Sequence, residues 1–122
     1  MKSIFLSVSL LLLALVGQAQ VTFRITQVPA YTPSNATLYI AGSFNSWNPG
    51  SAAHALVRQP DSSWLITLPA GTGTIQFKFT RGSWATVEGN ASGSQLPNRS
   101  FTYGNGDTVN LTVLSWEDLH GG

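Results

Sequence analysis

Two tryptophans and a lysine are the side chains best placed to do chemistry in this sequence. Trp47 lies in Gly42-Ser43-Phe44-Asn45-Ser46-Trp47-Asn48-Pro49-Gly50, a run whose Asn, Pro and Gly residues make a loop. Lys78 and Trp84 lie in Ile75-Gln76-Phe77-Lys78-Phe79-Thr80-Arg81-Gly82-Ser83-Trp84. Ile75, Phe77 and Phe79 alternate there with Gln76, Lys78 and Thr80, the period of a strand with one buried face. Lys78 therefore points away from the phenylalanines, and Trp84 follows the turn signal Arg81-Gly82-Ser83. An exposed indole beside a polar group is one way to hold a sugar ring. The C–H face of the sugar packs on the indole and the polar group takes a hydroxyl. The alternative is scaffold, because tryptophans of small β-domains are mostly core, and a loop tryptophan can cap the end of a sandwich.

Other chemistries lack parts. The histidines are His54, in an alanine-rich segment, and His120, near the C-terminus, and cysteine is absent. No Ser/His/Asp set stands at a recognisable spacing, so a nucleophilic mechanism is not supplied. Of the five carboxylates, Asp61 and Asp107 read as turn residues and Glu117 and Asp118 as tail. Glu88 alone lies near the aromatic stretch, where it could accept a sugar hydroxyl or be a solvated loop charge. A glycosidase needs two carboxylates flanking one bond. No cluster has metal-ligand spacing, and Gly104-Asn105-Gly106 is a turn with no helix after it to cradle phosphate. The chain reads as non-catalytic, with no cofactor and no metal.

The elements that must position these residues begin after an apolar leader. Lys2 gives a weakly positive start, Ile4 to Val16 is an apolar run containing Leu10 to Leu13, and Gly17-Gln18-Ala19 ends it with small residues where a signal peptidase reads. A run of about 13 residues is short for a membrane span, which needs roughly 20. Residues 1–19 are thus expected to be a signal peptide cleaved after Ala19, making the protein secreted or periplasmic and leaving no membrane segment. No cysteine follows the cleavage site to carry a lipid, and no disulfide can staple the mature domain. Net charge is +1 and 9% of residues are charged, so no basic patch exists for nucleic acid. A surface made polar by Thr, Ser, Asn, Gln and Gly suits a neutral polar ligand.

The remaining residues, 20–116, read as one domain of short strands. Val21 to Gln27 alternates cleanly, and Pro29 and Pro33 then break the pattern. Thr37 to Gly42 is a second strand, and His54 to Arg58 a short third. Trp64, Ile66 and Leu68 mark a further strand, joined to Ile75 to Thr80 through Pro69-Ala70-Gly71-Thr72-Gly73 as a tight hairpin. Glu88 to Asn98 is a Gly- and Asn-rich loop. Ser100 to Tyr103 and Thr108 to Leu114 close the domain, with Val109, Leu111 and Val113 facing in. Trp116 onward reads as a frayed end or the start of a linker, giving 117–122 as a tail. Some seven strands with turn signals about every 8–12 residues and no helical period predict an all-β fold, an antiparallel β-sandwich.

Several stretches resemble the starch-binding modules of carbohydrate-binding family 20, and the glycogen-binding modules of family 48 are similar. They are Leu38 to Pro49, Leu68 to Thr72, Ile75 to Phe79, Pro97-Asn98-Arg99-Ser100 and Val109 to Val113. The match covers about residues 21 to 116. The resemblance implies an immunoglobulin-like sandwich that binds α-1,4-glucans through two tryptophans, a lysine and an asparagine. Carried over by position, Trp47 matches the first tryptophan, Lys78 the lysine, and Asn98 the asparagine of Pro-Asn-Arg. The starch-binding pattern has Trp-Glu shortly before Pro-Asn-Arg, whereas Val87-Glu88 stands here with a longer loop after it. Trp84, three residues before Val87, is closer to the lysine-to-tryptophan spacing of the glycogen-binding modules. Either Trp84 replaces the missing ring or the platform is half built.

The expected function is a secreted, non-catalytic carbohydrate-binding module for starch- or glycogen-type α-glucan, with Trp47, Lys78, Trp84, Glu88 and Asn98 as its contacts. The alternative is an N-terminal accessory or structural module of a secreted α/β-hydrolase-type esterase, whose catalytic domain is missing from this chain and whose glucan site is partly or wholly lost. A third is a protein-interaction sandwich that keeps only the fold.

Overall fold

Alternation of apolar and polar residues builds the strands, as their burial shows. The computed structural model describes residues 19–104 and 108–119. In β1 (Val21–Gln27), Val21, Phe23 and Ile25 are fully buried while Thr26 and Gln27 are exposed. The same period runs through β4 (Trp64–Leu68), where Trp64, Ile66 and Leu68 face inward and Thr67 outward. The other strands are β2 (Tyr39–Gly42), β3 (Val57–Arg58), β5 (Thr74–Thr80), β6 (Glu88–Gly89), β7 (Arg99–Thr102), β8 (Thr108–Thr112) and β9 (Ser115–Trp116).

Three sheets result: β3-β4-β1-β8, β2-β5-β7 and the ribbon β6-β9. The first two pack their apolar faces together. Phe23 of β1 meets Phe77 of β5 with ring centroids 4.6 Å apart, and Phe101 of β7 edge-on at 5.6 Å. Each such fully buried ring contributes about 1.5–3 kcal/mol of transfer free energy, the main source of stability in a chain without disulfides. The fold is all-β and broadly sandwich-like, as expected.

The finer expectation, an immunoglobulin-like antiparallel sandwich of about seven strands, gives way to nine described strands in three sheets, and β1 and β8 run parallel, with Arg24 beside Asn110. The expected hairpin through Pro69 to Gly73 is not one. Both edges of β4 are taken, by β1 and β3, and β5 pairs with β2 and β7. The five residues instead cross from one sheet to the other, where the Tyr103 hydroxyl donates to the Pro69 carbonyl at 3.1 Å. His54 to Arg58 divides into a 3-10 turn, Ala52–His54, and the two residues of β3.

Trp116 is no frayed end. It is 0% exposed, and its indole N–H donates to the Thr32 hydroxyl at 2.8 Å. Burying so large a ring outweighs the polar character of the residues around it. The apolar leader through Gln18, part of the turn at 105–107, and residues 120–122 lie outside the described residues.

Candidate functional site

Lys78 on the outer face of β5 and the loops that follow β2 and β5 bring together most of the residues expected to do chemistry. β2 ends at Gly42, where a side chain is impossible: a Cβ there would lie 2.4 Å from the Gln76 carbonyl and 2.5 Å from the Phe44 ring. The chain then turns through a 3-10 turn, Ser43–Asn45. Asn45 holds this loop from inside. Its Oδ1 accepts the Gly42 N–H at 3.0 Å and its Nδ2 donates to the Ile40 carbonyl at 3.2 Å. The Trp47 N–H closes back on the Gly42 carbonyl at 3.0 Å. Ser46 and Trp47 both take left-handed backbone, with φ of 56° and 58°. Two consecutive non-glycine residues there cost of order 1 kcal/mol each, so the surrounding bonds must hold them.

The second aromatic residue arrives from the end of β5. Gly82, at φ 117°, makes the turn that a side chain would strain. A 3-10 turn, Trp84–Thr86, follows, with the Ser83 N–H on the Thr86 hydroxyl at 3.3 Å and the Arg81 N–H on the Thr86 carbonyl at 3.1 Å. It presents Trp84 to solvent with 43% of its surface exposed. The two loops touch. The Thr80 hydroxyl donates to the Pro49 carbonyl and accepts the Gly82 N–H at 3.0 Å. The half-buried Trp47 ring and the Trp84 ring stand 6.3 Å apart, centroid to centroid, with their planes inclined by 39°.

Lys78 does point away from Phe77 and Phe79, opposite Ala41 of β2, yet it is only 8% exposed. The outer face of this strand is covered at Lys78 and Thr80, whereas Gln76 on the same face stays exposed. Among the described residues, Arg81 Nε is the one buried side-chain nitrogen or oxygen without a hydrogen-bond partner. Most of the Lys78 side chain is covered, as the apolar stem of a long cationic residue allows. Asn98 is exposed, one residue beyond the Phe77–Arg99 pair, and its Nδ2 donates to Gln76 Oε1 at 3.2 Å. Gln76 shares the Lys78 face, and among the described residues no donor reaches the Asn98 Oδ1.

Glu88 is the correction. It is neither a solvated charge nor a surface acceptor: its exposure is 0%. Oε2 accepts the Phe79 N–H at 2.8 Å, and Arg99 donates from Nε at 3.0 and 3.2 Å and from Nη2 at 2.7 Å. With both oxygens occupied and no exposed surface, it has nothing to offer a ligand. Arg99 also donates to the Thr112 carbonyl at 2.7 Å and lies over the Phe79 ring, 5.4 Å from its centroid. This interior ion pair braces β5 from behind. The loop after it is shorter in effect than it reads, because Asn90 Oδ1 gathers the Ser92 and Ser94 N–H groups at 3.0 and 2.9 Å.

The structure thus brings Trp47 and Trp84 together, sets Lys78 and Asn98 on the same sheet face, and removes Glu88 to the interior. Gln76 and Thr80 were visible in the alternation with Lys78 but carried no signal of their hydrogen bonds. The Arg99 pairing had no signal in the spacing at all. Among the described residues no group of three or more His, Asp or Glu side chains could hold a metal ion.

No family model matches the chain. It is similar to a segment of an alpha-amylase from Niallia circulans, 50% identical over 101 residues, which is 80% of this chain and 8% of that protein. It is 37% identical over 107 residues to an amylopullulanase from Thermoanaerobacter thermohydrosulfuricus, covering 82% of this chain and 7% of that one. A second amylopullulanase, from Thermoanaerobacterium thermosulfurigenes, is 37% identical over 108 residues, 82% of this chain and 6% of the relative. The chain therefore spans less than a tenth of the length of the relatives it matches. It is a small domain homologous to regions of amylase and amylopullulanase proteins, consistent with a non-catalytic carbohydrate-binding module.

Proposed function

We propose that the domain binds a starch- or glycogen-type α-1,4-glucan by stacking sugar rings on Trp47 and Trp84. The observation that carries this reading is the indole pair itself, two rings 6.3 Å apart and inclined by 39°. Inclined planes suit consecutive sugar rings that turn relative to one another, as in a helical α-linked chain, better than a flat ribbon of coplanar rings. The names of the similar proteins, alpha-amylase and amylopullulanase, favour the same polymer class. In this reading the ammonium of Lys78, a residue 8% exposed, donates to a hydroxyl, and Asn98, oriented by Gln76, accepts from another. Trp84 replaces the ring that the starch-binding pattern places nearer Pro-Asn-Arg. Glu88 takes no part. Two stacked rings and a few wet hydrogen bonds give a Kd of roughly 10 μM to 1 mM.

The second reading, an accessory module of a larger secreted enzyme, is favoured by the small share of each relative that the chain spans. The esterase form of that reading rests on the resemblance alone. In either case residues 1–19 act as a signal peptide, residues 20–116 form the module, and the protein is secreted or periplasmic. A mature protein recovered with Met1 as its first residue would overturn the export step.

Calorimetric titration of residues 20–122 with maltoheptaose and β-cyclodextrin, beside the Trp84→Ala variant, tests the site. Saturable heat that the variant lacks, by about tenfold or more in affinity, is the expected result. No heat from the folded wild type would remove the glucan reading.

A further inference from the structure

We infer that Thr80 is the positioning residue that fixes the spacing and tilt of Trp47 and Trp84, so that the platform stands preformed before any ligand arrives. Thr80 is the last residue of β5 and is fully buried. It lies two residues from Lys78, on the same strand face. Its single hydroxyl serves both ring-bearing loops at once, donating to the Pro49 carbonyl and accepting the Gly82 N–H at 3.0 Å. Pro49 is two residues after Trp47, and Gly82 two residues before Trp84. Each ring is thus tethered to one oxygen atom through a two-residue lever.

A second feature sets the opposite limit. Gly50 and Gly82 meet backbone to backbone: a Cβ on Gly50 would lie 2.5 Å from the Gly82 carbonyl oxygen. The loops cannot come closer, and the Thr80 hydroxyl keeps them from parting. The Tyr39 ring lies beneath the turn, 3.5 Å from where a Gly82 Cβ would stand. A buried hydroxyl with its donor and acceptor capacity both used is costly to remove and hard to replace. A threonine methyl alone, or a valine, fills the same space and holds neither loop. Preorganisation of this kind lowers the ordering cost of binding without adding a contact to the ligand.

The test uses two readouts on the full chain. Two indoles at this distance couple, giving a bisignate band in far-ultraviolet circular dichroism that reports their mutual geometry without ligand. Maltoheptaose titration reports affinity. Thr80→Val is expected to lose the coupled band and weaken binding by about tenfold, whereas Thr80→Ser, which keeps the hydroxyl, retains both. Gly50→Ala reaches the same geometry from an exposed residue. It is expected to weaken the band and the affinity without touching Thr80, which keeps the idea testable if Thr80→Val does not fold. An unchanged band in Thr80→Val or in Gly50→Ala overturns the inference, as does equal loss in Thr80→Ser and Thr80→Val. The inference rests on the glucan reading only for its affinity arm. A wild type that shows the band but binds no maltoheptaose refutes that reading and leaves the positioning role standing on the spectrum.

Discussion

Replacing Glu88 by alanine removes a carboxylate that is wholly inside the protein. It takes with it the acceptor for the Phe79 N–H and three contacts to Arg99, the shortest at 2.7 Å. Arg99 has 19% of its side chain exposed and would keep only the Thr112 carbonyl and the Phe79 ring. Breaking a buried ion pair by removing one partner costs about 3–5 kcal/mol, and an orphaned buried amide about 1–3 kcal/mol. The two overlap, and the partly exposed guanidinium can recruit water, so the lower end applies: about 3 kcal/mol. Against a total of about 5–15 kcal/mol for a domain of this size, that is a large fraction. Glu88→Gln keeps an acceptor for Phe79 and loses the charge, so about 1–2 kcal/mol is expected. Urea unfolding followed by tryptophan fluorescence measures both. A Glu88→Ala loss below about 1 kcal/mol refutes the interior role. Reduced glucan affinity with unchanged stability would do so too, since it would return Glu88 to the ligand surface.

Other perturbations separate the binding face from the scaffold. Lys78→Ala is expected to weaken glucan binding by about 1 kcal/mol in calorimetry, from loss of a charged donor. Because the lysine stem is covered, a thermal melt should also show a cost of about 1 kcal/mol; an unchanged melting temperature would contradict that burial. The Ser63 hydroxyl and N–H, at 2.6 and 3.0 Å, and then Arg24 hold the Asp61 carboxyl below its ordinary value of 3.8. A folded value below the unfolded one makes the contribution full above the unfolded value and lost as pH falls through the folded one. An NMR titration should therefore place the Asp61 midpoint below 3.8, and an advantage of wild type over Asp61→Asn should fade only under acid; a midpoint at or above the ordinary value contradicts the Ser63 geometry.

The strands were legible because two-residue alternation of apolar and polar residues survives in their sequence: β1, β4 and β5 read directly from Val21-Phe23-Ile25, Trp64-Ile66-Leu68 and Ile75-Phe77-Phe79, although in β5 burial extends to both faces from Phe77 to Thr80. The same alternation put Lys78 on the outer face, and loop composition put Trp47 and Trp84 outside the strands. Alternation says which face is buried, not which strand lies alongside, so the parallel β1–β8 pair and the sheet crossing at Pro69 to Gly73 were not readable. Nor does it say what covers the second face, which is why the Lys78 stem was expected in solvent. Glu88 and Arg99 are partners only through the fold, eleven residues apart in the chain. Trp116 looked like tail because its neighbours are polar, while its ring is held in the core by the ribbon β6-β9 and the Thr32 hydroxyl.

Arg81 gives that ribbon a mechanical meaning. Its guanidinium lies over the Trp116 ring, 5.2 Å from the centroid, and pairs with Asp118, while its own N–H helps shape the Trp84 turn. Leu119 folds back to bridge Trp116. The stretch after β8 is therefore sewn to the loop that presents Trp84 rather than hanging from it as a leash. Leu119, the last described residue, is thereby held in place relative to the loop that carries Trp84. A pull at Leu119 would act on Trp116 and Asp118 and, through Arg81, on the seat of the Trp84 turn.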